Sequence, residues 1–322
     1  MIFFKRKSPI AFAPLDGNGT NSGSLADSEE DSSKTVHQGG IPSEEQAGTE
    51  AEGGETSKGL DVLERICARI RLDVEQRSQM FPLKDIAVKS REMTTPTRGF
   101  GQALQHVTAD RRVGLIAEVK KASPSAGILR PDYDPGAIAQ SYQEAGASCI
   151  SVLTEGSCFH GAIEDIAKVK EACSLPVLRK DFILDPWQVH ESRLAGADCI
   201  LLIMAILPEN QAADLIAIAR GLGMDVLIEV HNEEELNRAL AYDSFLIGIN
   251  NRNLKTLETD LQTTLDLAPL VPPDRLIVSE SGIKTNADLA KLGEVGATAV
   301  LVGESLLREK DPGEAARKLL GF

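Results

Sequence analysis

Charged side chains stand inside several apolar runs of this sequence, where solubility gives no reason for them. In LIAEVKKA (115–122), period-two alternation puts Ile116, Glu118 and Lys120 on one face and Ala117, Val119 and Lys121 on the other. The same sorting groups Leu178, Lys180 and Phe182 in VLRKDF, and Gly248, Asn250 and Arg252 in IGINNR. It isolates Glu229 among apolar neighbours in VLIEV and ends another run in Ser279-Glu280-Ser281, with Glu155 closing CISVLTE. Arg179 and Asp181 fall on the opposite face and read as structural. An ammonium and a carboxylate that converge on one site supply a proton donor and an acceptor, the requirement for general acid–base chemistry. Two glycine steps, Ser281-Gly282-Ile283 and Val302-Gly303-Glu304-Ser305, suit close approach of backbone amides to an anion, with Ser123 and Lys120 placed to complete the cradle. The five histidines (37, 106, 160, 190 and 231) show no metal-binding spacing, so no metal site is expected; His231, just past the fifth strand, reads as a surface or satisfied core residue, or else as one that supports the site from behind.

The elements that must position these residues repeat regularly. Apolar runs at 115–122, 149–155, 177–182, 199–206, 225–230, 245–251, 276–281 and 299–305 alternate with helical stretches such as 136–144, 187–194, 209–220, 233–241 and 287–292. Several of these stretches close on glycine (Gly146, Gly196, Gly221, Gly296), as helix C-termini favour. Strands alternating with helices predict parallel βαβ units, and eight of them are the number that closes a (β/α)8 TIM barrel. The missing G-x-G-x-x-G after the first strand argues against an open doubly wound sheet. In such barrels the site lies at the C-terminal ends of the strands, where the polar residues fall, and phosphate sits after strands seven and eight.

The chain has 322 residues, room for one such barrel and an appendage. Residues 1–58 are rich in Gly, Ser, Thr and acidic residues, cannot offset ordering entropy by burial, and are expected to be a disordered tail. The barrel unit is expected over 59–322, with a helical arm at 59–112: Leu60, Leu63, Ile66, Cys67 and Ile70 recur at helical spacing towards Met80, and a second short apolar segment covers Phe100 to Leu104. With 34 Lys+Arg against 48 Asp+Glu the formal charge is −14, which disfavours nucleic acid and anionic membranes as partners. No stretch approaches the roughly 20 apolar residues of a membrane span. Five cysteines without C-x-x-C spacing read as free thiols of a reducing compartment, the cytoplasm, or a plastid in a eukaryotic source.

Taken in order, IAEVKKASPSAG, ISVLTEGSCFHG, PVLRKDFI, ILLI, LIEVH, IGINNRNL, VSESGI and VLVGES closely resemble the strand-end motifs of the indole-3-glycerol-phosphate synthase family of tryptophan biosynthesis. The resemblance runs through most of 60–322. It implies a (β/α)8 barrel whose extra N-terminal helices help cover the active-site end. It also implies conversion of 1-(2-carboxyphenylamino)-1-deoxyribulose 5-phosphate into indole-3-glycerol phosphate, carbon dioxide and water, a carboxy-lyase reaction for which no cofactor is expected. Glu118, Lys120, Lys180, Glu229, Asn250, Glu280 and Ser281 fall on the family's catalytic and substrate positions. Ser123, Gly282, Gly303 and the backbone of Glu304 fall on its phosphate positions, Arg252 on a supporting arginine, and Phe159 and Phe182 on its apolar pocket. With these positions, Lys180 is the expected general acid of ring closure, and Glu229 and Lys120 are the candidates for acid–base work in dehydration, Lys120 serving alternatively to hold the substrate carboxylate or phosphate. Glu118 then tunes Lys120, and Asn250 orients substrate hydroxyls. A phosphorylated small molecule is the expected partner, with other tryptophan-pathway enzymes as the proteins to consider. Two rival readings are a phosphoribosylanthranilate isomerase-like barrel, which expects a Cys/Asp pair where this rim carries lysines and Glu229, and a noncatalytic barrel serving as a binding module.

Overall fold

The computed structural model describes residues 62–109, 113–124, 126–254 and 256–322; the tail expected at 1–58 lies outside them. Eight strands form: β1 (Gly114–Val119), β2 (Cys149–Leu153), β3 (Val177–Lys180), β4 (Cys199–Ile203), β5 (Asp225–Val230), β6 (Leu246–Asn250), β7 (Leu276–Glu280) and β8 (Ala297–Val302). Each pairs in parallel with its sequence neighbours, and β8 returns to β1 through Gly114↔Ala299 to Ala117↔Val302, so the ring closes as a TIM barrel. Nearly every strand residue is buried, the condition of a parallel sheet covered on both faces, and Ile, Val, Leu and Ala supply that core. The register sets the polar ends beside one another, with Glu229 opposite Gly248 and Asn250 opposite Glu280.

The apolar runs overshoot most of these ladders at their C-terminal ends. Lys120 lies one residue past β1, Phe182 two past β3, and Ser281 one past β7. The apolar character continues because the chain folds back over the barrel mouth instead of entering solvent. After β1 a two-residue hairpin, Ala122–Ser123 against Gly127–Ile128, which the sequence did not suggest, carries Ser123 back over the mouth.

Three helices precede the barrel: α1 (Val62–Met80), α2 (Leu83–Arg91) and α3 (Phe100–Ala109). α1 buries Ile66, Cys67, Ile70 and Val74 at helical spacing. α2 was not anticipated, because its buried stripe is only Ile86, Ala87 and Ser90. The crossover helices follow in chain order as α4 (Pro135–Glu144), α5 (Glu164–Ala172), α6 (Pro186–Ala195), α7 (Glu209–Gly221), α8 (Glu233–Leu240), α9 (Gln262–Leu267) and α10 (Asn286–Glu294), and the arm is fastened to α6, which follows β3. The Trp187 indole N–H donates to Phe81 O at 2.8 Å, the Arg77 guanidinium lies 4.7 Å over the same ring, and Ser90 Oγ meets His190 Nδ1 at 2.8 Å. Arg77 also pairs with Glu191, which pairs with the buried Arg179 at 2.9 Å; Arg179 in turn holds Asp181 at 3.0 Å. Arg179 is thus held within the fold, on the face its strand alternation implied, whereas Asp181, bound to it, also borders the cavity at the strand ends.

The crossover helices that position the site are capped by side chains. Asp185 and Gln188 form a capping box at α6, Asn232 caps α8 (Glu233–Leu240), and Thr285 with Asp288 boxes α10 (Asn286–Glu294). Gly196 closes α6 in the left-handed conformation, φ 94°. Gly221, read as a closing glycine, is instead the last residue of α7 (Glu209–Gly221), and Gly223, at φ 75°, takes the turn two residues later.

Candidate active site

The C-terminal ends of the strands converge on a cavity of about 690 Å³. All fourteen residues singled out above line it: Glu118, Lys120, Ser123, Phe159, Lys180, Phe182, Glu229, Asn250, Arg252, Glu280, Ser281, Gly282, Gly303 and Glu304. α1 closes one side with Val62, Leu63 and Ile66.

Its floor is a set of interlocked charges. From β1, Lys120 Nζ lies 2.6 Å from Glu118 Oε1. From β3, Lys180 Nζ donates to Glu229 Oε2 at 3.2 Å and stands 3.7 Å from Glu280 Oε2. Asn250 Nδ2 donates to Glu229 Oε1 at 3.0 Å, so each oxygen of that carboxylate has a fixed neighbour. Burial opposes the charge on Glu229, but Lys180, His231 and Asn250 outweigh it and hold the carboxyl well below the usual range. Lys180 is likewise desolvated, yet Glu229, Glu280 and Glu118 push its ammonium above the ordinary lysine value, so it is charged at neutral pH.

Glu280 is different. It is 1% exposed, neither carboxylate oxygen has a hydrogen-bond partner, and burial with the charge of Glu229 pushes it up to about 8. Burial thus favours its protonated form, which can donate one hydrogen bond into the cavity.

Two strand-end glycines make room for this set. A Cβ on Gly248 would stand 2.3 Å from Glu280 Oε1, and one on Gly303 would stand 2.5 Å from Glu118 Oε1. Gly303 was read as leaving space for an anion; its nearest neighbour in the fold is the Glu118 carboxylate.

The far end of the cavity is built from the loops after β7 and β8. Ser281 and Gly282 both take left-handed conformations, φ 66° and 82°, and for a non-glycine residue such as Ser281 that is strain of the kind found at functional sites. Gly303 precedes the short α11 (Glu304–Leu307), and Ser305 Oγ donates to Ile283 O at 3.0 Å, tying the two loops together. Lys284 and Arg308 also line this end, and the sequence reading missed both. Each lies within a few residues of a glycine step, the signal that pointed to them. Arg308 is bonded to the Glu304 side chain at 2.8 Å, and Arg252 stands 3.9 Å from that carboxylate. Ser123 Oγ accepts the Ala126 N–H at 3.2 Å.

Opposite, Phe159 and Phe182 form an apolar wall, their ring centroids 6.5 Å apart. Glu155, grouped with the polar strand ends, does not reach the floor. β2 stops at Leu153, and the buried Glu155 carboxylate accepts the backbone N–H groups of Ser157 (2.8 Å), Cys158 (2.8 Å) and Phe159 (3.2 Å). Its work is to fold the loop that presents Phe159. Of the two readings of His231, the position behind the site fits: Nε2 lies 3.3 Å from Glu229 Oε1, without hydrogen-bond geometry.

Among the described residues, no cluster of three His, Cys, Asp or Glu side chains is arranged to hold a metal ion, and no helix is long and apolar enough to cross a membrane.

The barrel itself is widely shared. It resembles the crystal structure of a 3-hexulose-6-phosphate synthase (TM-score 0.54, 17% identity, 65% of this chain and 98% of that one) and that of tryptophan synthase subunit alpha from Legionella pneumophila (TM-score 0.50, 17% identity, 70% and 96%). At such identities the likeness concerns fold alone. Sequence comparison is sharper. The chain is 50% identical to the indole-3-glycerol phosphate synthase of Rhodospirillum rubrum over 262 residues, 81% of this chain and 99% of that protein. It is 50% identical to the enzyme of the same name from Azospirillum brasilense over 260 residues, again 81% and 99%. The family model for indole-3-glycerol phosphate synthase matches residues 63–319, which span every barrel strand and, Val62 apart, the arm and the cavity lining, and the chain belongs to that family.

Proposed function

We propose that this chain closes the indole ring, converting 1-(2-carboxyphenylamino)-1-deoxyribulose 5-phosphate into indole-3-glycerol phosphate, carbon dioxide and water. The observation that carries the reading is the convergence of two lysines and three carboxylates from β1, β3, β5 and β7 on one floor, between an apolar wall and a loop pair of the kind that binds phosphate. The substrate has the matching parts: an aromatic ring, a linear sugar with a carbonyl, and a phosphate at the far end.

In the first step the ring carbon that bears the carboxylate attacks the ribulose carbonyl carbon. The carbonyl oxygen gains negative charge and takes a proton from Lys180, which its carboxylate neighbours keep protonated. Loss of carbon dioxide returns the electrons of the broken C–C bond to the ring. The new hydroxyl then leaves as water, protonated by Lys120, while the Glu229 carboxylate removes a proton from the adjacent carbon and the indole double bond forms. Glu118 holds Lys120 at 2.6 Å, and Asn250 aligns Glu229 and meets the sugar hydroxyls. Phe159 and Phe182 hold the anthranilate ring. Ser123, Ser281, Gly282, Gly303 and the Glu304 amide receive the phosphate, with Arg252 as support and Lys284 and Arg308 as added positive charge.

The test is direct. The purified chain given the substrate should develop indole fluorescence, and Glu229→Gln should lose it while remaining folded. A parent protein that binds the substrate but forms no indole would sink the reading.

A further inference from the structure

His231 is a half-buried ring beside Glu229 that takes no part in the scheme above. It follows β5 by one residue and shares the face of Glu229, two positions earlier. Its Nδ1 lies 2.9 Å from Glu235 Oε2, and its backbone N–H donates to the same oxygen at 2.9 Å. Asn232, the cap of α8, holds the other Glu235 oxygen at 2.9 Å. Three donors from residues 231–232 thus lock the Glu235 carboxylate, and that carboxylate locks the ring. The remaining ring nitrogen, Nε2, is buried, has no hydrogen-bond partner, and faces Glu229 Oε1 at 3.3 Å. Asn250 occupies that same oxygen, while Lys180 occupies the other. Burial works against a charged ring, yet Glu229 and Glu235 outweigh it and push the imidazole up to about 10.

His231 and Glu235 also open on a second cavity, about 1020 Å³, bounded by α1 and the loops after β5 and β6. Glu64, Arg71, Arg252, Glu258 and Asp260 line it as well. The ring therefore stands in the wall between two cavities, one of which holds the floor of lysines and carboxylates.

We propose that His231, clamped by Glu235, is a positioning residue of the reaction: an imidazolium that keeps Glu229 ionised and aligned, so that the carboxylate is ready to accept the substrate proton during dehydration. The inference rests on the role given to Glu229 above. The charges that face this pair come from every side: Lys180, Glu280 and Glu118 around Glu229, and Glu235 with the charged lining of the second cavity around His231. A ring acting only as a loop staple would need its hydrogen bond to Glu235 and no charge. A ring acting on Glu229 needs the charge, and this difference can be measured.

His231→Gln keeps an amide donor and removes the cation. Loss of one charge-assisted contact in the transition state should lower kcat about 10-fold, with KM within about threefold of the parent. The acid limb of the kcat–pH profile should move towards neutrality, because Glu229 then takes up a proton more easily. His231→Lys should recover part of kcat and move the limb back, and Glu235→Gln should shift both in the direction of His231→Gln by less. Imidazole should partly restore His231→Ala, entering through the second cavity and therefore without competing with substrate. If His231→Gln keeps kcat within about twofold and an unmoved acid limb, the proposal is overturned, whatever happens to its melting temperature. It is equally overturned if kcat falls but neither the limb nor added imidazole responds, since the ring would then be a steric support. Should a His231 variant fail to fold, Glu235→Gln carries the same pH test. Parent turnover and the Glu229→Gln loss test the site reading itself, so failure there is distinct from failure here.

Discussion

Replacing Lys180 by methionine removes the one cation that the structure sets against both Glu229, at 3.2 Å, and Glu280, at 3.7 Å. The side chain is 16% exposed, so the thioether can occupy the volume of the stem without opening a cavity. Two effects follow, and they separate by assay. The first is on rate: loss of a general acid costs about 10²–10⁴-fold, or about 3–5 kcal/mol of barrier. Because the proton is required where the carbonyl oxygen gains charge, the loss should fall on kcat and leave KM within a few-fold. The second is on stability. Breaking a buried ion pair from one side costs about 3–5 kcal/mol if the carboxylate left behind stays charged. Glu229 can escape that cost by taking up a proton, so the deficit should be large at pH 8 and shrink towards pH 5. Stopped or continuous indole fluorescence gives the first quantity, and thermal melts across pH give the second. Lys121→Met is the control, since Lys121 does not line the cavity, and it should match the parent within a few-fold. The assignment fails if Lys180→Met turns over at near-parental kcat while Lys120→Met does not; the acid of ring closure would then be Lys120.

Three further outcomes are expected. Gly303→Val places a side chain against Glu118, whose Oε1 is 2.5 Å from the Cβ position, so kcat should fall together with phosphate affinity, and inorganic phosphate should compete with substrate in the parent; a pure KM effect would show that Glu118 moves aside at no cost. Gly248→Ala drives its methyl to 2.3 Å from Glu280 Oε1 and should cost about 1–3 kcal/mol of stability with weaker substrate binding, whereas an unchanged melt would mean that the strand yields there. Stability should fall as pH rises from about 5 to 10. Glu280, raised from 4.5 to about 8, and His231, raised from 6.5 to about 10, both bind protons more tightly when folded, so their contributions are full below the unfolded values and are lost as pH climbs through the folded ones. Glu280→Gln should flatten the lower half of that decline and His231→Gln the upper half; parallel curves for parent and variants would refute the assignment. Glu229, held low, contributes in the opposite sense, above about pH 4.5, and is lost only in acid.

The barrel and its floor were legible because both depend on one strong regularity. A strand buried on both faces admits a charge where its end opens on a site or where, as at Arg179, ion pairs await it, and period-two sorting of Glu118, Lys180, Glu229 and Asn250 gave their direction. The regularity stops with the ladder, and the misreadings begin there. Glu155 lies two residues past the end of β2, where the backbone turns and its unpaired N–H groups take the carboxylate. His231 also lies beyond its strand, and a lone histidine has no sequence partner to mark it. The pattern Glu229-x-His231 with Glu235 at the start of the next helix was the available sign, but only the fold shows that the ring faces inward. α2 escaped notice because a nine-residue helix that buries one short stripe leaves little periodicity to detect.

The glycines of the strand ends carry a second lesson about how such a floor is assembled. Three carboxylates within reach of one another repel, and the fold separates them by different means. Glu118 is neutralised by Lys120 in the space that Gly303 leaves open, and Glu229 by Lys180 with His231 beside it. Glu280, in the space beside Gly248, has no hydrogen-bond partner and is pushed towards its protonated form by burial and by Glu229. Glu118 and Glu229 thus each face a lysine, and the His231 ring stands beside Glu229 with its own clamp, Glu235, facing the second cavity. A chain of net charge −14 can in this way pair the carboxylates of its floor with cations, with Lys284 and Arg308 adding positive charge beside the loops after β7 and β8. Adding a charged aspartate or glutamate at position 248 or 303 would undo the separation as well as the space. The absence of a side chain at those two positions is thus part of the electrostatics of the site, and of its chemistry.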